Sequence, residues 1–223
     1  TLAVTVLSIP TPDAAEGTVS TSFDQCGSLV YTVDAVAATG TGTWSKVSGP
    51  SGALSYSVNA NTSDQDITFP SYGSYVIRWS DDNGSCSGSD DITINLYPDP
   101  VASFTASTVC VGDATSFDAS GSSVSIGGIT NYSWDLDNNG SYETDGGTSS
   151  SLSATLGASG TVGLQVTSTG GCTSTTTLAV TVLSIPTPDA AEGTVSTSFD
   201  QCGSLVYTVD AVAATGTGTW SKV

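Results

Sequence analysis

The sequence predicts an all-β protein, built as tandem seven-strand antiparallel β-sandwiches in an extended filament. Three observations lead there. Short runs of alternating apolar and polar residues recur along the chain, bounded by Gly, Pro, Asn and Asp. Ser, Thr, β-branched and aromatic residues dominate, and there is no Met and no His, which suits pleated, half-buried strands. Residues 1–47 return letter for letter at 177–223, so that "LSIPTPDAAEGTV" at 7–19 reappears at 183–195, an offset of 176. A solenoid repeat runs about 20–50 residues; this period has room for two whole domains. The expectation is a window on a longer array of such units.

Proline divides the unit. "SIPTPD" (8–13) and "YPDPV" (97–101) read as short stiff linkers. Residues 1–9 then form the last strand of a preceding domain, 10–97 one sandwich, 98–184 a second, and 185–223 the first part of the next repeat. In the first sandwich, strands are predicted at 28–36, 42–47, 53–58, 66–69, 74–80 and 91–97. Trp44 sits on the third strand, and Tyr75 and Trp79 sit on the sixth. In the second, strands are predicted at 101–107, 114–120, 129–136, 151–156, 161–168 and 175–183, with Trp134 on the third. Large aromatics on alternating strands are core residues, so Trp44, Trp79, Trp134 and Tyr75 are assigned to the core.

Composition excludes several functions. With three Lys and Arg against 21 Asp and Glu, the net charge is −18. No basic patch can meet phosphates, so nucleic-acid binding is not expected. No apolar run approaches the ~20 residues of a membrane span. Without His there is no Ser–His or Cys–His pair, and two small sandwiches offer little concave space; no enzyme is expected.

The second segment carries a family pattern. "VASFTAS…VGDATSFDASGSS…ITNYSWDLDNNG" resembles the polycystic kidney disease (PKD) domain, with "FDASGS" after the second strand and a "YxWD" strand behind it. It departs from that pattern in "WDLDNNG" and in "SGTVGLQV", where the family usually has a Tyr. The first segment, with "GTGTWSKVSGP" and "YVIRWSDDNGSC", resembles an Ig-like domain common in large surface proteins of the Bacteroidota. The resemblance implies alternating Ig-like and PKD-like sandwiches. Arrays of this kind occur in gliding-motility and other giant surface adhesins exported by type IX secretion.

Of the five cysteines, Cys26, Cys86, Cys110, Cys172 and Cys202, the last is the repeat copy of the first. An even number per unit suggests an exported protein with disulfides. Cys26 and Cys110 precede the second strand of their sandwiches, while Cys86 and Cys172 sit in the turn before the last strand. Those turns lie at opposite ends of a sandwich, about 20 Å apart, too far for a bond within one domain. Stacking the domains end to end brings Cys26 opposite Cys172. Cys86, Cys110 and Cys202 then find partners in neighbouring repeats. The alternative is one bond inside each domain, Cys26–Cys86 and Cys110–Cys172.

In "DLDNNGSYETD" (135–145), Asp135, Asp137 and Asn139 followed by Gly140 match the start of a calcium loop. The bidentate Glu of that motif is replaced by Gly146, so Glu143 or Asp145 would have to substitute. A second acidic run carries Asp81, Asp82, Asp90 and Asp91. Calcium is therefore a candidate ligand of the 135–145 loop and of a domain junction, against the plainer reading of solvated Asx turns.

Taken together, these features lead to the expectation of a repeat segment of a long extracellular, cell-surface adhesin or gliding filament. It would act as a stiff, disulfide-stapled shaft. Expected partners are neighbouring repeats, the export and anchoring machinery and, through a tip outside this chain, an external surface or polysaccharide. The alternative is an array of carbohydrate-binding modules in a secreted polysaccharide-degrading protein. That alternative needs exposed aromatics, for which Tyr56, Tyr72 and Tyr142 remain the candidates.

Overall fold

The computed structural model describes residues 8–15, 20 and 22–184, all strand, turn or irregular, with no helix among them. Expectations for residues 1–7 and 185–223, Cys202 included, lie outside the described residues.

The first domain has seven strands: β1 (Ser22–Cys26), β2 (Val30–Val33), β3 (Thr41–Ser48), β4 (Ser55–Tyr56), β5 (Gln65–Thr68), β6 (Gly73–Asp82) and β7 (Ser87–Tyr97). They form one sheet in the order β1-β7-β6-β3 and another in the order β2-β5-β4. Strand β6 shows why: Tyr75, Ile77, Trp79 and Asp81 are buried, and the residues between them face outward, the two-residue period of a strand with one wet face. The inward row meets Trp44, Ile67, Phe69, Ile92, Ile94 and Leu96 to make one core. Trp44 and Trp79 lie 5.2 Å apart, and Phe69 and Tyr75 4.7 Å.

The second domain comprises β8 (Thr105–Ala106), β9 (Val109–Cys110), β10 (Ala114–Asp118), β11 (Ile129–Asp135), β12 (Thr144–Asp145), β13 (Ser151–Thr155), β14 (Gly160–Ser168), β15 (Thr173–Val180) and β16 (Val182–Leu183). Its sheets are β13-β10-β8 and β12-β11-β14-β15, with β9 paired to β16 at an edge. Trp134 is wholly buried, with Phe104 at 5.1 Å and Phe117 at 5.4 Å.

The strands differ from the predicted set in three ways. The sandwiches are not wholly antiparallel: β1 pairs parallel with β7, and β9 pairs parallel with β16. The short β1, rich in polar residues, was not among the predicted strands. The predicted strand 101–107 shrinks to β8, with β9 beyond its end, and 175–183 is broken into β15 and β16. The reason is common to all three. Alternation marks a residue run as a strand but says nothing of its partner, and a first strand can leave one sheet edge and join the other.

Candidate functional site: the domain junction

The junction is assembled from three chain segments. Strand β1 ends at Cys26, and Gly27 turns the chain away with φ +69°, a conformation that suits glycine. The Gly27 N–H donates to the Tyr97 carbonyl at 2.9 Å, closing the end of the β1–β7 ladder. Residues 98–100 lead into the second domain. There the turn between β14 and β15 is closed by Gly171 N–H to Ser168 O and Ser168 N–H to Cys172 O, both at 2.8 Å.

A disulfide joins Cys26 to Cys172 across this junction, with Cα atoms 5.5 Å apart, within the ordinary reach of the bond. It is the pairing favoured by placing the two turns at facing domain ends, and the bonds Cys26–Cys86 and Cys110–Cys172 are excluded. Cys172 is buried and Cys26 exposed. Two close approaches flank the bond. The Asp99 carboxylate lies over Gly27, so that a Cβ on that glycine would fall 2.2 Å from Oδ2, and the Tyr97 ring lies over Gly170, where a Cβ would fall 2.2 Å from Cγ. The Asp99 carboxylate is within 4.8 Å of both sulfurs. Bonded to each other, the sulfurs offer no thiolate, so this trio is no metal site.

Cys86 is a free thiol, half-buried in the turn between β6 and β7. Cys110 is disulfide-bonded, which departs from the expectation that its partner lies beyond residue 223.

The acidic loops are occupied by their own backbone. Asp135 is buried and accepts N–H bonds from Asn139 at 3.1 Å and Gly140 at 2.9 Å. Burial opposes its ionisation, but the N–H groups of Gly140, Asn139 and Asn138 outweigh it and hold the carboxyl below its usual range. Asn138, at φ 55°, makes the left-handed step that lets the loop close. The Asn139 amide donates to Asp137 at 3.0 Å and to Glu143 at 2.9 Å. Oxygens of Asp135, Asp137 and Glu143 thus gather within 4.8 Å of one another, whereas Asp145 turns to the Gly147 N–H. Three carboxylates are fewer than the six to eight oxygens calcium takes.

The second acidic run is dispersed. Asp81 accepts from Thr39 N–H, Thr39 Oγ1 and Gly40 N–H at 2.7–2.9 Å. Burial pushes its pKa up, and these donors bring it below the ordinary value. Asp82 caps Gly84, Asp90 holds the Ala14 N–H at 3.0 Å, and Asp91 grips Arg78 through two bonds of 2.6 and 2.8 Å. No cation site forms from the four together among the described residues.

Trp44, Trp79, Trp134 and Tyr75 are all at most 1% exposed. Tyr56 donates its hydroxyl to the Trp44 carbonyl at 3.1 Å, Tyr72 packs on the first core, and Tyr142 is half-buried. No Trp or Tyr among the described residues is exposed. Sequence reasoning missed the contacts of Tyr97 with Gly170 and of Asp99 with Gly27. A signal for them exists: a glycine follows Cys26, and two precede Cys172.

Residues 97–182 match the PKD domain family. Among solved structures, the PKD1 domain of Epp from Vibrio anguillarum is 28% identical over 39% of this chain and 95% of its own, with a TM-score of 0.32. A structure described for the promiscuous specificity of carbohydrate-binding modules of the β-sandwich superfamily is 30% identical over 39% of this chain and 35% of its own, with a TM-score of 0.34. Extracellular domains 3–5 of Drosophila OTK are 15% identical over 78% of this chain and 63% of theirs, with a TM-score of 0.50; that likeness speaks to fold. A PKD match over residues 97–182 and a disulfide, a bond of oxidising compartments, point to an extracellular or secreted domain protein, and the described residues fold as two β-domains, the second of which matches the PKD family.

Proposed function

We propose that this chain is a non-catalytic structural segment of a long extracellular, cell-surface filament of the giant-adhesin type. That reading includes the gliding adhesins that the Bacteroidota export by type IX secretion. Its work is to hold a distal binding tip away from the cell. The observation that carries this reading is the junction: a disulfide between two domains, packed on both sides by a residue lying over a glycine. Such a joint costs little to keep straight, because the bond and the two contacts leave few rotations about residues 97–101. The acidic excess adds to the reading, since a net charge of −18 keeps neighbouring fibres apart. Its partners are then the adjoining repeats, the machinery that exports and anchors the fibre, and a surface or polysaccharide met by the tip.

The carbohydrate-module alternative would place aromatic faces in water for sugars to stack on, and each described aromatic is buried or half-buried. Small-angle scattering and electron microscopy of a multi-repeat array test the shaft reading. A narrow distribution of end-to-end distances that grows in proportion to repeat number is expected. Bent, variable trains of beads, or binding of polysaccharide by the isolated repeat, would overturn it.

A further inference from the structure

The route that pulling force takes through the chain can be traced residue by residue. The described residues between 8 and 26 lie at successive positions along the turn before β7 and β7 itself. The Asn83 side-chain amide holds the Ser8 carbonyl at 2.9 Å, and the Pro10 carbonyl lies close to Gly88. Asp90 holds the Ala14 N–H at 3.0 Å. Ser22 then faces Thr93, and Cys26 faces Tyr97 at the junction. On the other side of the disulfide, β15 leaves Cys172 at once and crosses the second domain, from Thr173 opposite Thr167 to Val180 opposite Gly160. β16 continues beside β9, with the Val182 N–H held by Ser159 Oγ at 2.9 Å. Each domain is thus traversed end to end by a single stretch of chain, and the disulfide joins the two stretches.

We infer that the Cys26–Cys172 bond is a load bypass, which carries tension from one end of the repeat to the other without loading the two domain cores. A sequence separation of 146 means that 145 residues, 27–171, lie inside the covalent loop. They include Trp44, Trp79, Trp134, and all of β2 to β14. Force applied at the ends reaches them through lateral hydrogen bonds and through the disulfide of Cys110, not along the backbone. Strands β1 and β15 are already extended and have little length to give. With no disulfide left in the chain, tension would pass through all 145 residues, which hold about 50 nm of chain at about 3.5 Å per residue. This rests on the shaft reading for its physiological meaning, since a filament that is not pulled has no load to divert.

The test is single-molecule stretching of the full chain, tethered at its two termini. It compares the oxidised protein, the protein in a phosphine reductant, and Cys172→Ser, with non-reducing peptide mapping of the same preparation. A Cys86→Ser background removes the free thiol as a source of exchange. The oxidised protein is expected to give no extension from residues 27–171. Reduction is expected to add about 50 nm in one or two domain-sized steps; Cys172→Ser, which keeps the disulfide of Cys110, is expected to add the length of residues 27–109, about 30 nm. The variant's folding is checked by its buried tryptophan emission. Those same steps in oxidised protein that carries the mapped bond would overturn the bypass. So would an absent Cys26–Cys172 peptide, or equal extension with and without the bond. Filament shape at rest, which judges the shaft reading, is a separate measurement, so either conclusion can fail alone.

Discussion

The two domains bury tryptophan in different ways. In the first, the paired indoles of Trp44 and Trp79 both place their N–H groups, on Ser63 O at 3.1 Å and Val36 O at 3.0 Å. In the second, Trp134 stands between Phe104 and Phe117, and its Nε1 has no hydrogen-bond partner. Charge handling differs too. The first domain holds Lys46 and Arg78, while residues 98–184 contain no Lys or Arg; the buried acid of the second domain, Asp135, is held by backbone N–H groups. The same two-sheet architecture therefore tolerates either a hydrogen-bonded or a purely apolar aromatic centre. Both fix a loop through a buried carboxylate, Asp81 and Asp135, and the first fixes further loops through its indoles.

The largest effects should come from the centres themselves. Trp79→Ala and Trp134→Ala are each expected to cost about 3–5 kcal/mol in their own domain, read by chemical denaturation. Phe substitutions sharpen the contrast. Trp79→Phe strands the Val36 carbonyl and is expected to cost about 1–2 kcal/mol more than Trp134→Phe, which removes an N–H that has no partner. Equal costs would mean that the indole bonds to loops contribute nothing net.

Next comes the junction. Gly170→Ala sets a Cβ into the Tyr97 ring, and a loss of about 1–3 kcal/mol is expected. Gly160→Ala has open space around it and should change stability by less than about 0.5 kcal/mol. A Gly170 variant as stable as the Gly160 variant would show the Tyr97 contact to be dispensable.

Acid should act on the two domains through different buried carboxylates. Asp81 in the first and Asp135 in the second have carboxyls held below the ordinary value. A folded pKa below the unfolded one adds stability that is complete above the unfolded value and is lost as pH falls through the folded value. Stability should therefore be level near neutrality and decline below about pH 4. Asp81→Asn should flatten that decline in the first domain and Asp135→Asn in the second, each followed by the fluorescence of its own tryptophans. A decline unchanged by either variant would place the acid sensitivity elsewhere.

The smallest effect concerns metal. The 135–145 loop closes on its own hydrogen bonds, so a chelator is expected to leave the melting temperature of the second domain unchanged. A fall of several degrees, abolished by Asp137→Asn, would make the loop a calcium site.

Much of this was legible in the strand pattern. Trp44, Tyr75, Trp79 and Trp134 lie on alternating runs, and their burial follows from that period. The opposition of Cys26 and Cys172 follows from which turn each occupies, once the domains are laid end to end. The acidic loop was legible as a turn but not as a ligand set. Whether Asp145 joins Asp135 or turns to Gly147 depends on loop geometry that spacing does not encode. The contacts of Tyr97 with Gly170 and of Asp99 with Gly27 join residues 73 and 72 positions apart, beyond what local pattern can relate.

The sequence by itself determined the class of fold, the 176-residue offset, the positions of the long strands and the acidic charge. The offset rests on the identity of two distant stretches, and the others on composition or on a period of two, all of which are read without knowing what any residue touches. Only the tertiary structure decided that β1 and β9 leave the sheet a simple meander would give them and run parallel to the last strand of their domain. Edge pairing is a choice between partners of similar hydrogen-bonding capacity. It is settled by how two sheets pack and by where the next domain begins.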